Sequence, residues 1–434
     1  MSPARVLRGQ VVTFTDDPVT EGDRAVVHHP KGAVAIDSEG RIAWVGPARG
    51  LPRPWRDQAT DDHGDSLVMA GFIDAHIHFP QYRMLAAPGR DLLDWLNRFT
   101  FPEEARYASR AHAAKAAETF LDRLLSNGTT AALCFSSVHK VAADALFAAA
   151  ERRGMAMVTG KTMMDRNCPP GVRDDPESGY RDSAALIAKW HGRGRARYAI
   201  TPRFAITSSE AQLEAAGALA KEHPDCLVQT HLSEQPAEIA TVSALYPWAK
   251  HYTHVYDRFG LLGPRSLFAH GIHLSKRECA LLAATGSSVV HCPTSNSFLG
   301  SGIMPFSGRH RGSPRVGVAL GTDVGGGTSY SMLSTMAEAY RLQMIGGYRA
   351  SALELFHLAT LGNAEVLHLA DEIGSLAPGK WGDIVVLDPT ATPVLAARHA
   401  LSTSLEDMLF ALMILGDDRA VSATYVAGRR VEAP

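Results

Sequence analysis

Phe72-Ile73-Asp74-Ala75-His76-Ile77-His78 is a short β-rich run that ends in two histidines one residue apart. Side chains alternate between the two faces of a strand, so His76 and His78 point the same way and converge. Two neutral imidazoles at a strand end suit a divalent ion such as zinc or iron, held at about 2.0–2.1 Å. A bare H-x-H also arises from two unrelated histidines, so its meaning depends on what surrounds it.

Working outward, seven more β-rich runs follow: Thr129–Phe135, Met157–Met163, Tyr198–Phe204, Leu227–Glu234, Ser266–His273, Ser288–Thr294 and Val316–Asp323. Between them lie Ser109–Ser126, Val141–Arg153, Ser183–Trp190, Ser208–His223 and Lys276–Ala284, whose apolar spacing predicts amphipathic helices. Eight strands alternating with helices predict an α/β fold, a (β/α)8 TIM-like barrel whose strand ends form one active face. The flanks carry short β-like runs at Val6–Phe14, Val34–Ile36, Ile42–Val45, Ile384–Leu387 and Ala423–Val431, with no strong helix pattern between them. Neither end alone has enough strands to bury a face, so the two are expected to pair as one small β-sandwich domain. The expected organisation is 1–68 and 371–434 as the halves of that domain and 69–370 as the barrel. Pro52–Asp65 and Asp165–Gly179 read as polar loops.

His231, His270 and Asp323 also end β-rich runs and would face the same barrel mouth as His76 and His78. Four strand ends carrying such residues argue together for a metal site rather than coincidence. Lysine plus arginine number 43 against 45 acids in 434 residues, a formal charge of -2, which gives no field to attract nucleic acid or an anionic membrane. No apolar run is long enough for a membrane span, and Arg5 and Arg8 interrupt any signal-peptide pattern, so a cytoplasmic location is expected. The five cysteines form no C-x-x-C pair and read as reduced, mostly buried small hydrophobes.

The set resembles the amidohydrolase superfamily over nearly the whole chain. Supporting motifs are Met69-Ala-Gly-Phe-Ile-Asp74, His291-Cys-Pro293 with Ser295-Asn296, and Gly374-Ser-Leu-Ala-Pro-Gly-Lys-Trp-Gly-Asp383. Ala70 stands where the superfamily usually has proline. Two-metal members carry a bridging lysine on the fourth strand; here that strand has Arg203, and Lys161 lies on the third, structural or substrate-facing. The resemblance therefore implies one ion, zinc or alternatively iron, held by His76, His78, His231 and Asp323. His270 would stand beside it as an orienting group or as a fifth ligand. Glu234, three residues after His231, resembles the proton shuttle of the single-metal deaminases; otherwise it is a glutamate opening a helix.

A finer resemblance is to the guanine deaminase branch. It rests on His78-Phe-Pro-Gln81-Tyr82, Leu92-Leu-Asp-Trp-Leu-Asn97, Thr100-Phe-Pro-Glu103, Gly160-Lys-Thr-Met-Met-Asp-Arg-Asn167 and Pro202-Arg-Phe204. It implies that Gln81, Arg203 and Phe204 bind a purine, with His231 and His270 beside it: Gln donates and accepts, Arg only donates, and Phe offers a flat apolar face. It also implies a homodimer and a small-molecule partner, guanine. The expected reaction is attack by a metal-activated water on the carbon bearing the exocyclic amine. Asp323 and Glu234 take the proton, Glu234 passes it on, and His270 steadies the developing charge. Other ring substrates, adenosine-type, cytosine-type or triazine, share this metal chemistry, and a barrel that only binds is the alternative of a different class.

Overall fold

The computed structural model describes residues 4–309, 312 and 315–431; of the expected segments 1–68, 69–370 and 371–434, residues 1–3, 310–311, 313–314 and 432–434 lie outside those described. Eight parallel strands run in sequence order around a barrel: Phe72–His78, Thr129–Phe135, Ala156–Gly160, Ala196–Pro202, Leu227–Leu232, Ser266–His270, Ser288–His291 and Gly317–Leu320. The last returns to the first. Asp323 N donates to His76 O at 2.8 Å and His78 N to Val324 O at 2.8 Å. The buried Asn363 amide donates to Ile73 O at 2.6 Å and to Leu320 O at 2.7 Å, tying the two strands where they meet.

Six of the eight strands, the third to the eighth, end two or three residues short of the sequence expectation, all at the mouth, and the fifth, sixth and eighth run into left-handed turns there. Ser233, His270 and Asp323 have φ of 51°, 69° and 52°, in the left-handed region that non-glycine residues seldom adopt. Such a residue cannot continue a ladder, so the chain peels away where the candidate site residues begin. The expected third strand Met157–Met163 breaks at Lys161, and Thr162–Met163 pairs separately with the fourth strand. A Cβ on Gly160 would lie 1.8 Å from Ala199 O, so only glycine permits that approach.

Helices surround the barrel as the apolar spacing predicts. Arg110–Ser126 starts at the Ser109 cap and turns Ala113, Ala117, Phe120, Leu121 and Leu124 inward. Pro176–Trp190 begins seven residues before the expected Ser183, inside the stretch read as a polar loop. Asp175 and Ser178 form a reciprocal capping box there, and proline occupies the first turn. Polar residues that suggested a loop are the helix start.

Both chain ends build a second, seven-stranded mixed sheet in the order Arg429–Arg430, Val421–Val426, Ile384–Leu387, Ala59–Ala70, Arg5–Phe14, Val26–Ile36, Ile42–Pro47. Its central strand, Ala59–Ala70, covers residues read as loop. The Thr60–Asp65 half is polar and largely solvent-facing, so it lacks the hydrophobic alternation that marks a strand. In its other half the alternation is strict: Leu67 and Met69 join the barrel-side core, Val68 and Ala70 the sheet's other face. Ile384–Leu387 divides likewise, Val385 and Leu387 toward the barrel and Ile384 and Val386 away. The tail also departs from expectation in carrying helices Pro393–His399 and Leu405–Leu415. Leu409, Leu412 and Met413 of the second join one core with Met332, Leu333 and Met336, so part of the C-terminal segment belongs to the barrel's shell.

Arg195 and Asp383 clamp barrel to sheet. Asp383 is buried and the Arg195 side chain largely so; Arg195 Nη1 donates to Asp383 Oδ1 at 2.9 Å, Nη2 pairs with Oδ2, and Asp383 Oδ1 also accepts from Ala427 N at 2.8 Å. Asp383→Ala leaves a buried guanidinium without its counter-charge, at a cost of about 3–5 kcal/mol. A thermal unfolding midpoint lowered by roughly 3–6 °C is expected for a chain of this length; an unchanged midpoint refutes the clamp.

Candidate metal and catalytic site

The first strand positions the site's floor. All seven residues of Phe72–His78 are buried, and the period of two brings His76 and His78 to one side. Asp74 latches this strand to the eighth: it accepts from Thr322 Oγ1 at 2.5 Å, from Thr322 N at 3.0 Å and from His76 N at 3.2 Å. Burial pushes its carboxyl up to about 6 against those bonds.

Three imidazoles and one carboxylate meet above this floor. Asp323 Oδ1 lies 3.2 Å from His76 Nε2 and 3.3 Å from His78 Nε2, and His231 Nε2 lies 3.2 Å from His78 Nε2. Tetrahedral ligands held 2.0–2.1 Å from an ion are separated by about 3.3–3.4 Å, which these spacings match. His76 Nε2 is buried and makes no hydrogen bond to a described residue. His231 Nδ1 lies 2.7 Å from Arg203 O and donates to it, leaving Nε2 as the lone-pair nitrogen facing the cluster. Burial holds His78 down to about 4 and His231 well below its ordinary value, which keeps both rings neutral as ligands. Burial alone would raise Asp323, but the His76 and His78 imidazoles beside it outweigh that and hold the carboxyl well below the usual range. The donor set fits one divalent ion.

His270 and Glu234 stand beside this group. His270 Nδ1 donates to Asn296 Oδ1 at 2.9 Å, which turns Nε2 toward Glu234 Oε2 at 3.4 Å and Asp323 Oδ2 at 3.7 Å. Glu234 accepts at Oε1 from Ser301 Oγ at 2.9 Å, and its backbone N is held by Glu238 Oε2 at 2.7 Å. Burial, reinforced by the Asp323 charge, pushes Glu234 up to about 8. It is therefore a buried carboxyl at a barrel mouth and not an exposed helix opener.

A small cavity lies over the cluster. His78, His231, Glu234, His270 and Asp323 line one part of it, Gln81, Arg203 and Phe204 another, and Leu92, Trp95, Leu96 and Leu299 cover it. All three expected ring-binding residues thus share a cavity with the metal-type cluster. Gln81 comes from the short turn Phe79–Gln81 after the first strand, Arg203 and Phe204 from the end of the fourth. Lys161 is elsewhere occupied: it pairs with Asp174 and donates to Thr162 O at 3.1 Å, so it is unavailable as a bridge.

Nothing in the sequence assigns Glu104 or Ser301 a role, and Leu92–Leu96 enters only as part of the motif Leu92-Leu-Asp-Trp-Leu-Asn97, with no place in the site. Glu104 adjoins the motif Thr100-Phe-Pro-Glu103, which was its one signal. Cys292 also adjoins the cluster, its sulfur grouping with His76, His270 and Asp323; burial pushes its thiol up, in keeping with a small buried hydrophobe. No described helix is long and apolar enough to cross a membrane.

A parallel barrel with histidines and an aspartate gathered at its strand ends defines a metal-dependent hydrolase architecture. The amidohydrolase family model matches residues 67–431, and the chain belongs to the amidohydrolase family. Within it, the chain is 44% identical to the guanine deaminase of Escherichia coli (strain K12) over 431 residues, 98% of this chain and 97% of that one. The structure of guanine deaminase from Bradyrhizobium japonicum superposes with a TM-score of 0.95 at 38% identity, covering 99% of each chain. That of guanine deaminase from C. acetobutylicum with guanine bound in its active site gives 0.88 at 30% identity, covering 99% of this chain and 100% of the other.

Proposed function

We propose that this chain is a guanine aminohydrolase, converting guanine and water to xanthine and ammonia. The observation that carries the reading is the sharing of one covered cavity by Gln81, Arg203 and Phe204, the carboxyl of Glu234 and the His78, His231 and Asp323 cluster. The relatives named guanine deaminase support the choice of ring.

The proposed ligands of one ion are His76, His78, His231 and Asp323, with zinc first and iron second. When bound, such an ion lowers the pKa of a coordinated water enough to make it a nucleophile near neutral pH. Glu234 Oε2 faces the cavity while Ser301 holds Oε1, so this oxygen takes the proton of the attacking water and delivers it to the ring nitrogen beside the amine-bearing carbon. Having given up that proton, the carboxylate takes the second one from the oxygen now bonded to the ring carbon and passes it to the amine, whose bond to that carbon breaks as ammonia leaves. Asp323 shares the proton transfer from water. His270, its orientation fixed by Asn296 at Nδ1, steadies the negative charge that grows on the attacking oxygen in its imidazolium form, in which Nε2 also carries a proton. Phe204 offers the ring face, Gln81 and Arg203 the polar edge.

The proposed setting is cytoplasmic guanine catabolism by a homodimer. The exposed Met344 and Ile345 at the end of helix Met332–Ile345 supply apolar surface such a pairing would cover.

The test compares ammonia release from guanine, adenine, cytosine, adenosine and a chlorinated triazine. Guanine is expected to exceed every other substrate in kcat/KM by at least about 10²-fold, because a polar pocket left unpaired by the wrong ring rejects it strongly. Turnover confined to another ring keeps the metal site and removes the purine assignment.

A further inference from the structure

Glu104 does not line the cavity, yet it controls two residues that do. It sits in helix Phe101–Ala105, is 0% exposed, and lies beneath the polar edge. Arg203 Nη1 donates to Glu104 Oε1 at 2.9 Å and to Oε2 at 2.7 Å, and Gln81 Nε2 donates to Oε1 at 2.9 Å. Gln81 Oε1 in turn accepts from Gly325 N at 3.1 Å. The guanidinium is seated over the Phe101 ring, 5.5 Å from its centroid.

A glutamine amide can present its oxygen or its nitrogen in nearly the same shape, and which one faces a ligand decides what that ligand must be. Here the choice is closed from both sides: the nitrogen faces a carboxylate and the oxygen faces a backbone N–H. Glu104 also occupies Nη1 of Arg203, so Nε and Nη2 are the guanidinium donors left for the cavity. Both arrangements make the edge rich in donors, suited to a ring that presents acceptors there.

We infer that Glu104 is a positioning residue for substrate choice: by fixing Gln81 and Arg203 in one orientation, it makes the pocket edge select purines that bear a ring carbonyl oxygen. This rests on the proposed purine reading and adds the residue that sets its discrimination. A glutamine at 104 would bring its own N–H groups against those of Gln81 or Arg203. One of these must then rotate, and the donor edge is lost.

The experiment measures KM and kcat for guanine, and Ki for 2-aminopurine as a competitor, in wild type and Glu104→Gln. 2-Aminopurine carries the same amine without the ring carbonyl oxygen. Metal content and thermal midpoint are recorded alongside. Guanine KM is expected to rise about 10–100-fold with metal content kept, the loss of a charge-assisted contact, while Ki for 2-aminopurine moves less than about 3-fold, as for groups outside the perturbed contact. A parallel rise in both constants, or a change in neither, overturns the inference. If Glu104→Gln does not fold, Glu104→Asp decides by the same two constants: the shorter side chain loosens both bonds, and guanine KM must again rise more than the 2-aminopurine Ki. Wild-type protein that releases no ammonia from guanine overturns the purine reading itself, a failure visible before any variant is made.

Discussion

Glu234→Gln is expected to keep its metal and its affinity for guanine while kcat falls by about 10²–10⁴-fold, the usual worth of a positioned proton carrier. Glutamine has the same shape, and its carbonyl oxygen can still accept from Ser301 Oγ, which bonds Glu234 Oε1 at 2.9 Å. It cannot accept a proton from the attacking water or hand one to the ring nitrogen and the amine. The atoms that would hold an ion come from His76, His78, His231 and Asp323, whose mutual spacings of 3.2–3.3 Å do not involve Glu234. Metal content should therefore match wild type. Steady-state kinetics and metal analysis on the same preparation decide it: kcat within tenfold of wild type removes Glu234 from proton transfer, and a lost ion makes it part of the metal site instead.

Removing the ion is expected to have a still larger effect. Protein dialysed against a chelator should fall to the uncatalysed rate of ammonia release and recover in proportion to added zinc or ferrous ion, up to one ion per chain. Gln81, Arg203, Phe204 and Glu234 remain able to bind a ring and move a proton, but none makes water a strong nucleophile at neutral pH. The stoichiometry of one follows from the missing bridge: the fourth strand carries Arg203, whose guanidinium is paired with Glu104, and the buried Lys161 of the third is paired with Asp174. Undiminished activity in metal-free protein would sink the hydrolytic mechanism. Recovery only at two ions per chain would sink the single-ion site while leaving the reaction class intact.

The barrel was legible because its signals are local. A strand buried on both faces reads as a short apolar run, and Phe72–His78 and Thr129–Phe135 have the bounds the sequence implied. The metal-type residues were legible for the same reason: each ends such a run, and a parallel barrel sends every strand end to one mouth. Ala59–Ala70 was not legible, since half of it is polar and its partners Arg5–Phe14 and Ile384–Leu387 come from opposite ends of the chain. Helix Leu405–Leu415 was missed for a related reason. Its sequence is apolar almost all round, so no amphipathic stripe marks it, and it is stabilised by packing on Met332–Ile345.

Local alternation and residue chemistry, carried by the sequence itself, determined that His76 and His78 share a face, that eight strands would alternate with helices, and that imidazoles and a carboxylate were present to hold a cation. What only the tertiary structure decided is which of the remaining polar groups act together. Glu104 meets Arg203 across 99 positions, and Ser301 meets Glu234 across 67. Spacing along the chain carries no signal over such distances, because those pairs form only after loops from different strands have folded across one mouth. The left-handed turns at His270 and Asp323 belong to the same category: the closed barrel holds them in a conformation that neither residue favours by itself.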